Sequence, residues 1–250
     1  MMRSILLTGA AGRIGSAFFQ ATAHHYTWRC VDRVPPAFPL GTASWHQVDM
    51  TDQETCFHLC QGIDTVVHLA ADPSPEAVFY PSLLENNIQV TYNLFTAAVE
   101  AKCRRFIFAS SAQAVEGYPL DVQVHPDMPI RPKNLYGVSK CFGEALASYY
   151  AYQQGLSTVI LRIGNYSEEN PQSMSARDRS AFLSPRDLHH LLIKCIETPN
   201  IPFALLHALS GNRFSRLDTT RTRDLVNYQP QDDGFADLLL SDEAERRSGK

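Results

Sequence analysis

What this sequence lacks narrows it first. No stretch of about eighteen apolar residues occurs, so no membrane-spanning helix is expected. The 22 lysines and arginines form no block and the formal net charge is −4, so a nucleic-acid footprint is not expected. The start of the chain passes into an apolar strand pattern with no charged leader, so no secretory signal is expected and the cytoplasm is the expected setting. The six cysteines, at 30, 56, 60, 103, 141 and 195, are scattered without a CxxC pair, as buried thiols in a reducing compartment would be. Cys56 and Cys60 share a spacing of one helical turn, but nothing with ligand spacing accompanies them, so no metal is expected. Charged residues make up 19% against 44% hydrophobic, which argues against disorder. A chain of 250 residues can bury a large core, as one domain or as one domain with a small lobe.

What is present is an alternation. Short apolar runs at 4–8, 26–32, 45–49, 64–70, 105–110 and 157–163 read as strands, being continuous rather than alternating. Helical patterns separate them: one ending near Ala23, then 52–60, 83–101 and 136–153. The polar stretch 112–135 carries Pro119, Pro126, Pro129 and Pro132 and reads as a long loop. Six repeats of strand and helix predict an α/β, Rossmann-type doubly wound parallel sheet. Past Gly164 the rhythm weakens. Residues 165–181 are polar and irregular. A helix is expected at 185–197, with Pro185 in the first turn, where a missing N–H is harmless. A strand is expected at 203–208, and short helices at 220–226 and 233–247. Residues 1–164 are therefore expected as the dinucleotide-binding domain and 165–250 as a small C-terminal substrate lobe, with the 185–197 helix packing back on the sheet.

Between the first strand and helix lies Gly9-Ala10-Ala11-Gly12-Arg13-Ile14-Gly15. A sharp turn there places backbone N–H groups and a helix N-terminus beside a pyrophosphate, and side chains would block the approach. The spacing is GxxGxxG rather than the commoner GxGxxG. Asp32, at the end of the second strand, can accept the adenosine ribose hydroxyls and repels a 2′-phosphate, which favours NAD over NADP. Arg33 keeps NADP open, since a guanidinium can pair with that phosphate. Asp32 also reads as a turn cap. Asp49 has two readings, as a contact to the adenine edge and as a cap for the next helix.

Tyr136 and Lys140 are four residues apart on one predicted helix and so share a face. Ser111 follows the fifth strand, at the edge where parallel-sheet sites gather. Oxidising a hydroxyl-bearing carbon requires loss of the O–H proton, and a free phenol near pKa 10 is too weak a base at neutral pH. A nearby ammonium is expected to lower it. Ser111 can donate to the substrate oxygen as its charge changes. The bland alternative is a helix-end aromatic and a surface cation.

TGAAGRIG at 8–15, HLAA at 68–71, FASS at 108–111 and YGVSK at 136–140 together resemble the extended short-chain dehydrogenase/reductase family, also described as NAD-dependent epimerases and dehydratases, over roughly residues 2–195. The resemblance implies a catalytic trio of Ser111, Tyr136 and Lys140, with Tyr136 as the acid–base. It implies cofactor contacts from Gly9, Gly12, Arg13, Ile14, Gly15, Asp32, Leu69, Ala70, Ala71, Tyr136, Lys140 and Ile163, with Asp49 and Met50 as an adenine-binding pair. Asn87 matches the family's structural and proton-relay asparagine. Within the family, YGVSKCFGEALA at 136–147, LRIGN at 161–165 and FLSPRDL at 182–188 are similar to its uronate-oxidising members. That likeness implies NAD-dependent oxidation of a hexuronate at its anomeric carbon to an aldarolactone. Ser111 and Tyr136 would then meet the anomeric hydroxyl, Arg177 the carboxylate, and Ser74, Ala112, Gln113 and Asn165 the rest of the sugar. Ala112 and Gln113 depart from the Asn-His usual in those enzymes, and their tryptophan-rich C-terminal segment is missing. A sugar or nucleotide-sugar epimerase and a non-catalytic NAD-binding regulator are the competing expectations. A solvated charged loop is the competing reading of Arg177. A helix-to-helix homo-oligomer is expected from the apolar faces of 83–101 and 136–153.

Overall fold

Seven strands, every neighbouring pair parallel, form one sheet in the order β3-β2-β1-β4-β5-β6-β9. They are β1 (Ser4–Thr8), β2 (Thr27–Asp32), β3 (Ser44–Gln47), β4 (Thr65–His68), β5 (Arg105–Ser111), β6 (Ser157–Ile163) and β9 (Phe203–Ala208), with β7 (Asn165–Tyr166) and β8 (Phe182–Leu183) pairing apart from them. The computed structural model describes residues 2–238. This is the expected Rossmann-type α/β fold, with additional C-terminal elements. The expected helix over 233–247 lies mostly outside the described residues.

The sheet reads as continuous apolar runs because both of its faces are covered. On one face, α1 (Arg13–Thr22) packs on α6 (Pro185–Glu197), with Ile5, Leu7, Phe18, Leu161, Leu188 and Leu192 among the core side chains. The opposite face is covered by α2 (Gln53–Cys60), α3 (Val90–Glu100) and α4 (Leu135–Gln154), over Leu6, Val66, Phe95, Phe106 and Ile160. α6 and β9 are thus built into the central layers by residues beyond Gly164. A smaller apolar cluster of Val115, Val124, Leu209 and Leu217 ties the long 112–135 connection to the C-terminal segment, where α5 (Ala176–Ser180) and α7 (Thr220–Val226) also lie.

One helix differs from its expected form. The pattern over 83–101 divides into α3 and, before it, a π-helical stretch at Phe79–Gln89. Wide turns of this kind are rare in helices and frequent beside functional sites. Here the stretch buries Leu83 and Asn87 and carries the chain back from the end of β4.

Strand order reverses between β1 and β4, and the crevice opens there, at the strands' carboxyl ends. The register sets Thr8 beside His68, His68 beside Phe108, and Ser111 beside Ile163 along that edge.

Candidate active site

The crevice is a cleft of about 710 Å³, a size that suits a small-molecule or cofactor site. Its floor at one end is the glycine turn. Gly9 has φ +68, a left-handed conformation, and a Cβ there would lie 2.7 Å from the Ala70 backbone. A Cβ at Gly15 would lie 2.2 Å from the Gly9 carbonyl oxygen, so α1 can approach the strand only without one. At Gly12 a Cβ would meet only that same oxygen, at 3.2 Å, and Gly12 lines the cleft. The bare position at Gly12 thus serves the open space rather than the packing. Gly12 is also the N-cap of α1; it offers no side-chain acceptor, and the first turn carries no acidic residue. A helix start left this way is suited to phosphate oxygens.

Asp32 closes the neighbouring wall. One of its carboxylate oxygens accepts from the Ala11 N–H at 2.9 Å, and the other from the Arg33 N–H at 2.7 Å. It is therefore both a turn cap and a carboxylate on the cleft wall. Arg33 and Met50 line the cleft as well, and the Arg33 guanidinium pairs with Asp49 at 3.3 Å. Leu69, Ala70 and Ala71 follow β4 along the floor, with Ile163 at the end of β6.

The other end gathers the proton-transfer groups. α4 starts at Asn134, whose side chain accepts the Gly137 N–H at 2.8 Å, and ends at Gly155 in a left-handed cap. It lies tight on β5: a Cβ at Gly143 would fall 2.1 Å from the Phe108 ring. That contact brings Tyr136 and Lys140 to the cleft beside Ser111. Lys140 is buried, and its Nζ donates to the Ala109 carbonyl at 2.9 Å and lies 5.6 Å from the Tyr136 ring centroid. Burial lowers Lys140 to about 8. Tyr136 lies above the ordinary phenol value, mainly through burial; the Ser111 hydroxyl opposes this and the Asp72 carboxylate adds to it. This is the reverse of the direction expected from a neighbouring ammonium, because burial takes the phenolate out of water and penalises it. The resting group is a neutral phenol. His68, fully buried, bonds Thr8 and Thr91, and burial followed by the charge of Lys140 lowers it to about 3. It packs behind the site as a neutral ring.

Arg13, Ile14, Ala112, Gln113, Asn165 and Arg177 also reach the cleft wall. Three expected contacts do not. Asp49 accepts the Thr51 N–H at 3.0 Å in a local turn and pairs with Arg33, and the cap of α2 is instead Asp52, which accepts the Thr55 N–H at 2.7 Å. Ser74 accepts the Glu76 N–H at 3.2 Å in a local turn, while its neighbours Pro73 and Pro75 take the wall. Asn87 is buried one layer back. Its amide donates to the Asp72 carbonyl at 3.1 Å and to Ser139 at 2.9 Å, and its oxygen accepts the Asp72 N–H at 2.8 Å, which fixes the loop after β4 against α4.

Two acidic residues that the sequence reading passed over belong to this region. Asp72 lines the cleft and accepts from Ser74 N–H and the Ser82 hydroxyl. Glu116 holds Arg177, at 2.7 Å from Nη2. Asp72 directly follows the HLAA segment, a signal that was available. Glu116 sits in the proline-rich connection with no motif around it. Among the described residues no group of three or more His, Cys, Asp or Glu is placed to hold a metal ion, and no helix is long and apolar enough to cross a membrane.

A glycine turn under a helix start, an acid at the end of β2 and a Ser–Tyr–Lys set at the sheet's carboxyl edge define a dinucleotide-dependent oxidoreductase of Rossmann type. The family comparison agrees: the model of the NAD dependent epimerase/dehydratase family matches residues 5–190, and the chain belongs to that family. It is similar to a NAD-dependent glucose-6-phosphate dehydrogenase of Haloferax volcanii, 36% identical, covering 93% of this chain and 94% of that one. An L-arabinose 1-dehydrogenase (NAD(P)(+)) of the same organism is 32% identical, covering 92% and 97%. The crystal structure of uronate dehydrogenase from Agrobacterium tumefaciens superposes with a TM-score of 0.85 at 32% identity, covering 99% of this chain and 88% of that one. The chain is an enzyme that uses NAD, and the cradle at Gly12 with the Asp32 wall fits that cofactor.

Proposed function

We propose that this enzyme oxidises the anomeric hydroxyl of a hexuronate to an aldarolactone, with Tyr136 as acid–base. One observation carries the reading: Ser111, Tyr136, Lys140 and a guanidinium, Arg177, line a single cleft. In this reading the glycine turn, Asp32, Met50, Ala70, Ala71 and Ile163 hold the cofactor, and Asn87 and Asp49 position its walls. Bound NAD supplies the hydride acceptor. The protein's own part is to place the sugar and move its proton. Ser111 donates a hydrogen bond to the anomeric oxygen. Tyr136, once its own proton has passed to solvent, takes the hydroxyl proton as the phenolate and returns to the neutral phenol. The Lys140 ammonium, held by Ala109, favours the phenolate at that moment. Arg177 orients the substrate carboxylate, and Gln113 and Asn165 face the remaining hydroxyls.

A second reading, oxidation of a neutral aldose, is favoured by a specific contact: Arg177 already holds two carboxylates, Glu116 and Asp178. The relatives acting on glucose 6-phosphate and L-arabinose widen the range of sugars to test. The experiment is NAD reduction at 340 nm with glucuronate, galacturonate, glucose 6-phosphate, glucose and arabinose. Faster NADH formation with the uronates supports the first reading, and turnover of aldoses alone replaces it with the second. Sugar interconversion without net NADH would make the enzyme an epimerase.

A further inference from the structure

We propose that Glu116 sets the charge preference of the substrate end by occupying one edge of Arg177. This rests on the reading of Arg177 as the carboxylate-binding group. The contact is anchored on both sides. Glu116 follows the short 3-10 turn Ala112–Ala114, and its backbone is pinned by Gly117 N–H on the Arg131 carbonyl at 2.7 Å and Arg131 N–H on the Ala114 carbonyl at 2.9 Å. Arg177 rises from α5, which is capped by Ser175. The Glu116 Oε1 accepts from Arg177 Nε at 3.1 Å and Nη2 at 2.7 Å, and Asp178 accepts from Nη1 at 2.7 Å.

A guanidinium has five N–H donors. Three are committed here, so a substrate carboxylate meets the two that remain. It also meets a cation whose charge is already answered. Of the two partners, Glu116 matters more: its side chain is 9% exposed against 39% for Asp178, so water screens it less. Asp72 on the cleft wall adds a further negative charge. Glu116 itself does not line the cleft. It is a positioning residue that acts through Arg177, lowering the site's attraction for acidic sugars relative to neutral ones.

The test is steady-state kinetics with glucuronate and glucose on the full-length enzyme. Glu116→Gln keeps an oxygen acceptor of the same reach and removes the charge. It should lower KM for glucuronate roughly fivefold, since the opposing charge is close and partly buried. The kcat on both sugars and the KM for glucose should stay within about twofold. Glu116→Asp, which restores the charge, should return the glucuronate-to-glucose KM ratio towards the original. Asp178→Asn should shift that ratio in the same direction by less, and it carries the test if the Glu116 variants do not fold. A ratio unchanged or raised in Glu116→Gln, or in Asp178→Asn where that variant stands in, overturns the proposal. Arg177→Ala separates this failure from that of the parent reading. A rise in glucuronate KM alone keeps Arg177 as the carboxylate group, so a flat Glu116→Gln result then overturns only the role of Glu116. No rise overturns both.

Discussion

Lys140 holds its ammonium 5.6 Å from the Tyr136 ring centroid and 2.9 Å from the Ala109 carbonyl, one turn of α4 beyond the phenol. The pair is buried together, and burial moves the two groups apart: the lysine falls to about 8 and the tyrosine rises. The ammonium is therefore a cation that the protein keeps only over part of the working pH range.

A pH dependence follows. Below its pKa, the phenolate fraction of Tyr136 rises about tenfold per pH unit, and oxidation needs that form. The Lys140 cation is present below about 8 and lost above it. The kcat/KM for oxidation should climb with pH and bend over near 8, which a pH–rate profile from about 6 to 10 measures. A profile climbing without a bend through that range would remove the Lys140 charge from the mechanism.

The glycine turn separates packing from ligand binding. Gly15→Ala drives a Cβ into the Gly9 carbonyl at 2.2 Å and should cost about 1–3 kcal/mol of stability, read from urea unfolding. Gly12→Ala meets only one atom, at 3.2 Å, and should leave stability within about 0.5 kcal/mol. It should nevertheless weaken NAD binding roughly tenfold, which is about 1.4 kcal/mol. Equal losses of stability in the two variants would contradict this division.

The helix that carries the proton-transfer pair is fixed by a buried charge. Glu144, one turn beyond Lys140, accepts from Arg162 at 2.8 and 2.7 Å and from Ser110 at 2.6 Å, all out of water. Glu144→Ala would leave the Arg162 guanidinium buried without its partner, at a cost of about 3–5 kcal/mol in urea unfolding. A loss under about 1 kcal/mol would show that α4 is held on β5 and β6 by apolar packing instead.

The sheet was legible because buried parallel strands have to be continuous apolar runs, and punctuation marked their ends. Asn134 and Gly155 cap α4 within two residues of the expected limits. The glycine turn and the Tyr136–Lys140 spacing were legible for the same reason, since local backbone geometry ties residue type to position. Contacts between distant segments were not. Glu116 and Arg177 are 61 residues apart, each in an irregular stretch, and no period relates them. The π-helical form of Phe79–Gln89 was hidden because its apolar spacing resembles an α-helix. The raised phenol at Tyr136 was missed because a sequence shows a neighbouring cation but not how much water the fold removes.

The most direct test of the account is Tyr136→Phe, assayed for NAD binding by fluorescence titration and for NADH formation with the best sugar of the panel. The phenyl ring keeps the packing of α4 and loses only the proton carrier. NAD affinity should stay within about twofold while turnover falls roughly 10²–10⁴-fold. Turnover close to that of the unaltered enzyme would contradict the assignment of Tyr136 as the acid–base.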